Sequence, residues 1–207
     1  MTIIPQPPQG LTVWDRMVPV ITTKHHTDAY ITDVIEEPSL YNELCNKLLT
    51  ASPAETFTIH LNTPGGQLDS AFMLVDAIKS SQARTTARLT GTVASAGTII
   101  TMACDDIYIA PHTSFMIHNY SAGSFGKGHE LKSRQEHNDK SITEAFKTFY
   151  TGFLTDKEMK EVIDGKDMWM TPDEVLFRWQ RKQSYSEQQE LAKPTSTTTR
   201  RGRPKKG

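Results

Sequence analysis

The first pattern is an alternation of apolar and polar positions along residues 57–62 (FTIHLN), which predicts a half-buried strand. The TPGG sequence at 63–66 ends it, because proline and paired glycines favour a tight turn. Apolar residues then recur every three or four positions over 70–80, which predicts a helix. The same order returns with a strand predicted over 86–93 and a buried helix over 96–103. This succession predicts repeated βαβ units around a parallel sheet, so the expected fold class is α/β.

Shorter segments complete the predicted architecture. Strands are predicted over 29–32, 106–110 and 114–118, and helices over 39–51 (with Ser39 as N-cap), 130–154, 155–163 and from 171 onward. The T-x-x-E sequence that begins at Thr155 is typical of a capping box. Residues 1–13 are expected to form an irregular arm, 14–183 one folded domain and 184–207 a disordered tail.

Composition excludes several classes of protein. No apolar run approaches the ~20 residues of a membrane span, and the N-terminus lacks the basic and apolar regions of a signal peptide. We therefore expect a cytoplasmic protein with no membrane partner. Cys45 and Cys104 lie in apolar segments without neighbours at metal-ligand spacing, so we expect reduced core thiols and no metal site.

The net charge of -1 conceals a basic C-terminus. Residues 194–207 contain five Arg or Lys residues and no acid, so this segment is +5 and the rest of the chain -6. Within it, Arg201-Gly202-Arg203-Pro204 resembles the core of an AT-hook, which lies in the narrow minor groove of A·T-rich DNA. A solvated tail that contacts any polyanion explains the same residues equally well.

One serine lies among residues that are too small to cover it. In GTVASAGT (91–98), Ser95 falls between the predicted strand over 86–93 and the predicted helix over 96–103. Free backbone N–H groups and the helix dipole favour negative charge there, as the oxyanion of an acyl transfer requires. Close packing of a helix on a sheet needs the same small residues, so this stretch alone does not establish catalysis.

A serine nucleophile needs a base within hydrogen-bond reach and a third group that orients the base. Of the seven histidines, only His118 ends an apolar strand in the half of the chain that carries Ser95. Asp167, beside the apolar Met168-Trp169-Met170, is the candidate orienting group, and Asp105 and Asp106 are the alternatives.

Four strings in this chain are similar to the proteolytic subunit of the Clp protease, in the same order and at similar separations. They are LNTPGG (61–66), GTVASAGT (91–98), APHTSFMIH (110–118) and DMWMTPDE (167–174). The resemblance runs from about Ala29 to Glu174 and implies a serine peptidase on the crotonase-like fold. It implies that Ser95 is the nucleophile, His118 the general base and Asp167 the residue that orients the imidazole.

The same resemblance implies an oxyanion hole, a handle and partners. Gly66 and Ala96 match the two residues whose backbone N–H groups form the family's oxyanion hole. The stretch 119–128 and the helix after it resemble the handle, which pairs strands between two rings of seven subunits. We therefore expect a ring-forming homo-oligomer, a heptamer or double heptamer. We also expect no cofactor of its own, since ATP would act only through a separate AAA+ unfoldase.

Two segments depart from the family's pattern. Residues 176–179 read Leu-Phe-Arg-Trp where the family usually has Gly-Leu-Val/Ile-Asp, and residues 1–12 lack a recognisable segment for docking an unfoldase. Virus-encoded members of the group, which mature capsids without an unfoldase, are therefore an alternative. A catalytically silent scaffold or DNA-binding member is another. A crotonase-type acyl-CoA enzyme would instead carry a carboxylate where Ser95 stands.

Overall fold

A seven-stranded mixed sheet is the centre of the computed structural model, which describes residues 17–121 and 126–192. Its strands are β1 (Val20–Thr22), β2 (His26–Ile31), β3 (Thr56–Thr63), β4 (Arg84–Ala94), β5 (Asp106–Ile109), β6 (Ser114–Ile117) and β7 (Met168–Met170). The order is β1-β2-β3-β4-β6-β7, and β5 pairs separately with β4. The pairs from β2 to β6 are parallel, whereas β1 and β7 pair antiparallel with their neighbours. The predicted α/β class is confirmed.

Six α-helices and one 3₁₀ turn accompany the sheet in the described residues. The turn is Pro38–Tyr41, and the helices are α1 (Asn42–Thr50), α2 (Leu68–Ser80), α3 (Ala96–Ala103), α4 (Gly128–Tyr150), α5 (Asp156–Ile163) and α6 (Pro172–Ala192). Every residue of α3 is buried, as its apolar sequence predicts. The N-cap predicted at Ser39 is wrong, because the 3₁₀ turn comes first and α1 begins only at Asn42.

Strand β4 pairs with two different strands along its length. Its 11 residues pair with β5 over Thr86–Leu89 and with β6 over Thr92–Ala94. Between these pairings Gly91 has a φ of 61°, and a Cβ there would lie 2.6 Å from Oδ1 of Asn62. Glycine thus permits the change of partner along β4. The carboxyl ends of the parallel strands β3, β4 and β6 lie at the edge where α/β sheets form their sites.

Helix α6 continues to Ala192, so the predicted disorder is wrong for residues 184–192. Two basic side chains in the middle of α6 donate hydrogen bonds to backbone carbonyls at the end of α4 and in the turn after it. Arg181 Nε donates to the Gly152 carbonyl at 2.9 Å and Lys182 Nζ to the Phe149 carbonyl at 2.5 Å. Once a helix is fixed at one point, adding further residues costs little. The AT-hook-like sequence and the predicted arm at 1–13 lie outside the described residues.

A bidentate ion pair joins α6 to the start of α5. Arg178 donates to both carboxylate oxygens of Glu158, at 2.9 and 2.7 Å, and the two side chains are only 17% and 23% exposed. Glu158 also completes the capping box with Thr155, which confirms that prediction. The guanidinium of Arg178, assisted by the N–H and hydroxyl of Thr155, lowers the pKa of Glu158 to about 2.

Replacing Arg178 with methionine should therefore lower the free energy of unfolding by about 2–3 kcal/mol at pH 7, because a mostly buried carboxylate loses its partner. The folded pKa of Glu158 lies below its ordinary 4.5, so this contribution is present above that pH and is lost as the pH falls toward 2. Urea unfolding at neutral and acid pH measures both effects. As a control, Lys132→Met breaks an exposed pair with Glu136 and should change stability by less than about 0.5 kcal/mol. Equal losses in the two variants would contradict the prediction.

Candidate active site

Ser95 lies at the sharp turn from β4 into α3, with φ 53° and ψ −124°. This backbone conformation is rare for a residue with a Cβ and costs on the order of 1–3 kcal/mol. Small neighbours make room for it. A Cβ on Gly65 would lie 2.5 Å from that of Ser95, and one on Gly97 would lie 2.6 Å from Cγ2 of Thr63. The small residues thus allow close packing of α3 on the sheet and also leave Ser95 uncovered. The packing role and an accessible serine, the two interpretations of this stretch, are therefore compatible.

The hydroxyl of Ser95 does not cap the helix that it precedes. A serine at this position usually accepts a hydrogen bond from the first turn, but within residues 95–103 the Ser95 side chain makes no such bond. Its backbone is held instead. The N–H donates to the Met116 carbonyl at 2.9 Å, and the Ser95 carbonyl accepts the N–H of Thr98 at 2.9 Å and its hydroxyl at 2.6 Å. The hydroxyl therefore remains available to a reactant.

Ser95 opens into a cleft of about 240 Å³ that also contains Gly66, Ala96 and His118. Gly66 follows β3, Ser95 follows β4 and His118 follows β6, so three adjacent carboxyl ends supply these residues. The rest of the wall is largely apolar and includes Leu68, Ile99, Phe146 and Tyr150. Sequence spacing did not assign Phe146 and Tyr150 to the site, because they come from α4, far along the chain.

His118 and Asp167 are adjacent because of the antiparallel pairing of β6 and β7. Ile117 pairs with Met168, so the next residues outward on the two strands are His118 and Asp167. His118 Nδ1 lies 3.8 Å from Oδ1 of Asp167, which is longer than a hydrogen bond. The Asp167 side chain is 60% exposed and that of His118 26%. Within the described residues, Ser95 and His118 line the same cleft and no direct hydrogen bond joins their side chains.

The two alternative acids lie at the opposite end of the sheet. Asp105 accepts the N–H and hydroxyl of Thr85 at 2.8 and 2.9 Å, and Asp106 binds Arg84 at 2.6 Å. Arg84 and Thr85 begin β4, whereas Ser95 follows its end. Of the three candidate acids, only Asp167 is brought to His118.

Gly66 and Ala96, which line the cleft with Ser95, are the candidate donors of backbone N–H groups. The N–H of Ile35 donates to the Gly65 carbonyl at 2.8 Å, and the Ile35 carbonyl accepts from the Gln67 N–H at 2.7 Å. Gly66 lies between Gly65 and Gln67 on this extended segment, so its own N–H points away from Ile35. Gly66 lines the cleft. Ala96 is the first residue of α3, where an N–H has no acceptor within its helix. Both residues predicted for the oxyanion hole therefore line the same cleft as Ser95.

Other predicted features concern metals, thiols and membranes. Among residues 17–121 and 126–192, no cluster of three or more His, Cys, Asp or Glu could bind a metal ion. Cys45 and Cys104 are buried and free, and burial raises their pKa values to about 11 and about 12. None of the helices described above has the length and apolar character needed to cross a membrane.

The family model described as Clp protease matches residues 24–177. The chain therefore belongs to the Clp protease family, and its α/β architecture is the crotonase-like fold. This confirms the resemblance carried by the four sequence strings.

Curated relatives from two bacterial genera agree with this assignment. The chain is 29% identical over 127 residues to the ATP-dependent Clp protease proteolytic subunit 1 of Chlamydia caviae, covering 59% of this chain and 66% of the relative. It is 28% identical over 153 residues to subunit 1 of Chlamydia abortus, covering 72% and 76%. It is 29% identical over 147 residues to subunit 3 of Rhizobium etli, covering 66% and 72%. The chain thus spans about two thirds to three quarters of the length of these relatives.

Proposed function

We propose that this protein is a serine endopeptidase that cleaves unfolded polypeptides or peptides through Ser95, His118 and Asp167. The observation that carries the proposal is the strained Ser95, whose hydroxyl does not cap α3 but shares a cleft with an imidazole and two backbone N–H groups. A strained backbone at a serine is expected where the strain serves a site. Membership of the Clp protease family supports the same chemistry.

In the proposed reaction, Ser95 Oγ attacks the scissile carbonyl while His118 Nε2 takes its proton. The negative oxygen of the tetrahedral intermediate accepts hydrogen bonds from the N–H groups of Gly66 and Ala96. His118 returns the proton to the leaving amine, and the acyl group stays on Ser95. Water, deprotonated by the same imidazole, then attacks the ester; the acyl–Oγ bond breaks, the imidazolium returns the proton to Ser95 Oγ, and the acid is released. Asp167 lies on the Nδ1 side of the His118 ring, where it favours the tautomer that carries its proton on Nδ1 and stabilises the imidazolium.

We further infer that the peptidase works as a ring-forming homo-oligomer. Over the 23 residues of α4, the buried side chains are those of Ile142, Phe146 and Tyr150, all in the second half. The first half of α4 has no buried side chain, as expected of a handle that contacts another subunit. The relatives are named as ATP-dependent proteolytic subunits, which favours an AAA+ unfoldase partner over a capsid-maturation role. Native mass measurement with and without an unfoldase distinguishes these assemblies.

A fluorophosphonate probe tests the peptidase chemistry directly. The native protein should be labelled, and mass spectrometry should place the adduct on Ser95, because only an activated serine reacts readily with such a probe. Heat-denatured protein and the Ser95→Ala variant are the matched controls and should remain unlabelled. Absence of labelling on the native protein would refute the peptidase proposal and favour a silent scaffold.

A further inference from the structure

We propose that Thr98 and Tyr150 are positioning residues for the nucleophile, acting through a buried chain of hydroxyl groups that ends on the carbonyl of Ser95. The inference deepens the proposed peptidase function and rests on it. Neither residue belongs to the Ser95, His118 and Asp167 set, and neither role follows from sequence motifs.

The chain of hydroxyl groups consists of two short hydrogen bonds. Thr98 Oγ1 lies 2.6 Å from the Ser95 carbonyl oxygen and 2.6 Å from the Tyr150 hydroxyl. Thr98 and Tyr150 are 0% and 1% exposed, so water does not compete for these bonds. The carbonyl can only accept, so the single hydroxyl proton of Thr98 points to Ser95 and the Tyr150 hydroxyl donates to Thr98. Burial raises the pKa of Tyr150, so its phenol keeps the proton that this direction requires.

These bonds act on a backbone that would otherwise relax. The φ of 53° at Ser95 persists only where the surroundings over-determine it. On one side of the residue, its N–H is bound to Met116. On the other side, the carbonyl is bound by both the N–H and the hydroxyl of Thr98. Removing the hydroxyl removes one of the two bonds on that carbonyl and lets the peptide plane rotate, which moves Oγ away from its attacking position.

Tyr150 connects this support to a distant part of the molecule. It is the last residue of α4, and the carbonyls around it accept hydrogen bonds from α6. Lys182 donates to Phe149, and Arg181 donates to Gly152 and Phe153. Helix α6 therefore fixes the end of α4, and the Tyr150 hydroxyl transmits that position to Thr98 and Ser95.

Two threonines in the same helix provide a matched comparison. Thr98 and Thr101 are both 0% exposed in α3, and both hydroxyls donate to a backbone carbonyl, that of Ser95 or of Gly97. Thr98→Val and Thr101→Val remove equivalent groups while keeping the side-chain shape. Thr98→Ser keeps the hydroxyl, and Tyr150→Phe removes only the phenolic oxygen. The measurements are kcat and KM for a peptide substrate, the rate of fluorophosphonate labelling and Tm.

We expect Thr98→Val and Tyr150→Phe each to lower kcat and the labelling rate about tenfold, equivalent to ~1.4 kcal/mol of transition-state stabilisation, with KM changed less than about twofold. Thr101→Val should lower Tm similarly but leave kcat within about twofold of wild type, and Thr98→Ser should restore most activity. The double variant Thr98→Val/Tyr150→Phe should be about as slow as Thr98→Val alone, because Tyr150 acts through Thr98.

Wild-type kcat and labelling in folded Thr98→Val, or a loss matched by Thr101→Val, would overturn the positioning role while leaving the peptidase proposal intact. If Thr98→Val fails to fold, an unchanged kcat in Tyr150→Phe would overturn it equally. Failure of the wild-type protein to label at Ser95 would instead refute the peptidase proposal, so the two failures are distinguishable.

Discussion

Replacement of either Ser95 or His118 by alanine should lower kcat for peptide hydrolysis by roughly 10⁵–10⁶-fold. A serine hydroxyl is a weak nucleophile at neutral pH, and His118 is the imidazole that shares its cleft. In the proposed mechanism the two groups transfer one proton between them, so they act as a unit. The double variant should therefore be no slower than either single variant. Steady-state kinetics with purified, folded protein and a fluorogenic peptide measure all three.

His25 provides the control for this prediction. It is exposed in the turn between β1 and β2, at the amino end of β2, far from the carboxyl ends that carry Ser95 and His118. The variant His25→Ala should retain the full rate, which would show that loss of a histidine away from the site is harmless. Near-normal turnover in His118→Ala would exclude this residue as the general base, and near-normal turnover in Ser95→Ala would exclude the serine mechanism.

The second large effect is expected for Gly66→Ala. A Cβ at this position would lie 2.1 Å from the Ile35 carbonyl oxygen, and the φ of 152° disfavours a side chain in any case. The backbone must therefore shift, which displaces the Gly66 N–H from the proposed oxyanion. We expect kcat to fall by about 10²–10³-fold, as for loss of one oxyanion donor, with a stability loss of about 1–3 kcal/mol. Kinetics and urea unfolding of the same preparation separate the two effects.

Gly128→Ala is the matched control, because a Cβ there would meet no atom within 4 Å. This glycine begins α4, so alanine should leave stability equal or slightly higher and activity unchanged. A Gly66→Ala variant that loses stability but keeps its kcat would show that the glycine serves packing against Ile35 and not the oxyanion.

Local sequence patterns were sufficient for the elements that carry the site. The helix over 96–103 was predicted at its observed bounds, because its residues are apolar or small and it follows a clear strand pattern. The predicted strands over 57–62 and 86–93 are shorter than β3 and β4 by a few residues at the ends, where alternation gives little information. Ser95, Gly66 and His118 lie at or shortly after the ends of predicted strands, but their roles were assigned through the resemblance to the Clp protease subunit.

Features set by tertiary contacts were not predictable in this way. Trp169, although it lies in the apolar stretch Met168-Trp169-Met170, is 59% exposed, because β7 is an edge strand and buries only Met168 and Met170 on one face. Residues 184–192 continue α6 beyond Arg181 and Lys182, whose bonds to the end of α4 are long-range contacts. The pairing of Thr98 with Tyr150 joins residues 52 positions apart, which no local period reveals.

The positive φ at residue 95 means that the residue that would best stabilise this turn is not one that could react. Glycine adopts this conformation without strain, but glycine has no nucleophilic atom. Selection for a more stable fold alone would tend to remove the serine, since most proteins can gain stability where a functional constraint is lifted. A serine at this position, in a chain that has glycine at 65, 66, 91 and 97, is what the proposed role of Ser95 as nucleophile requires.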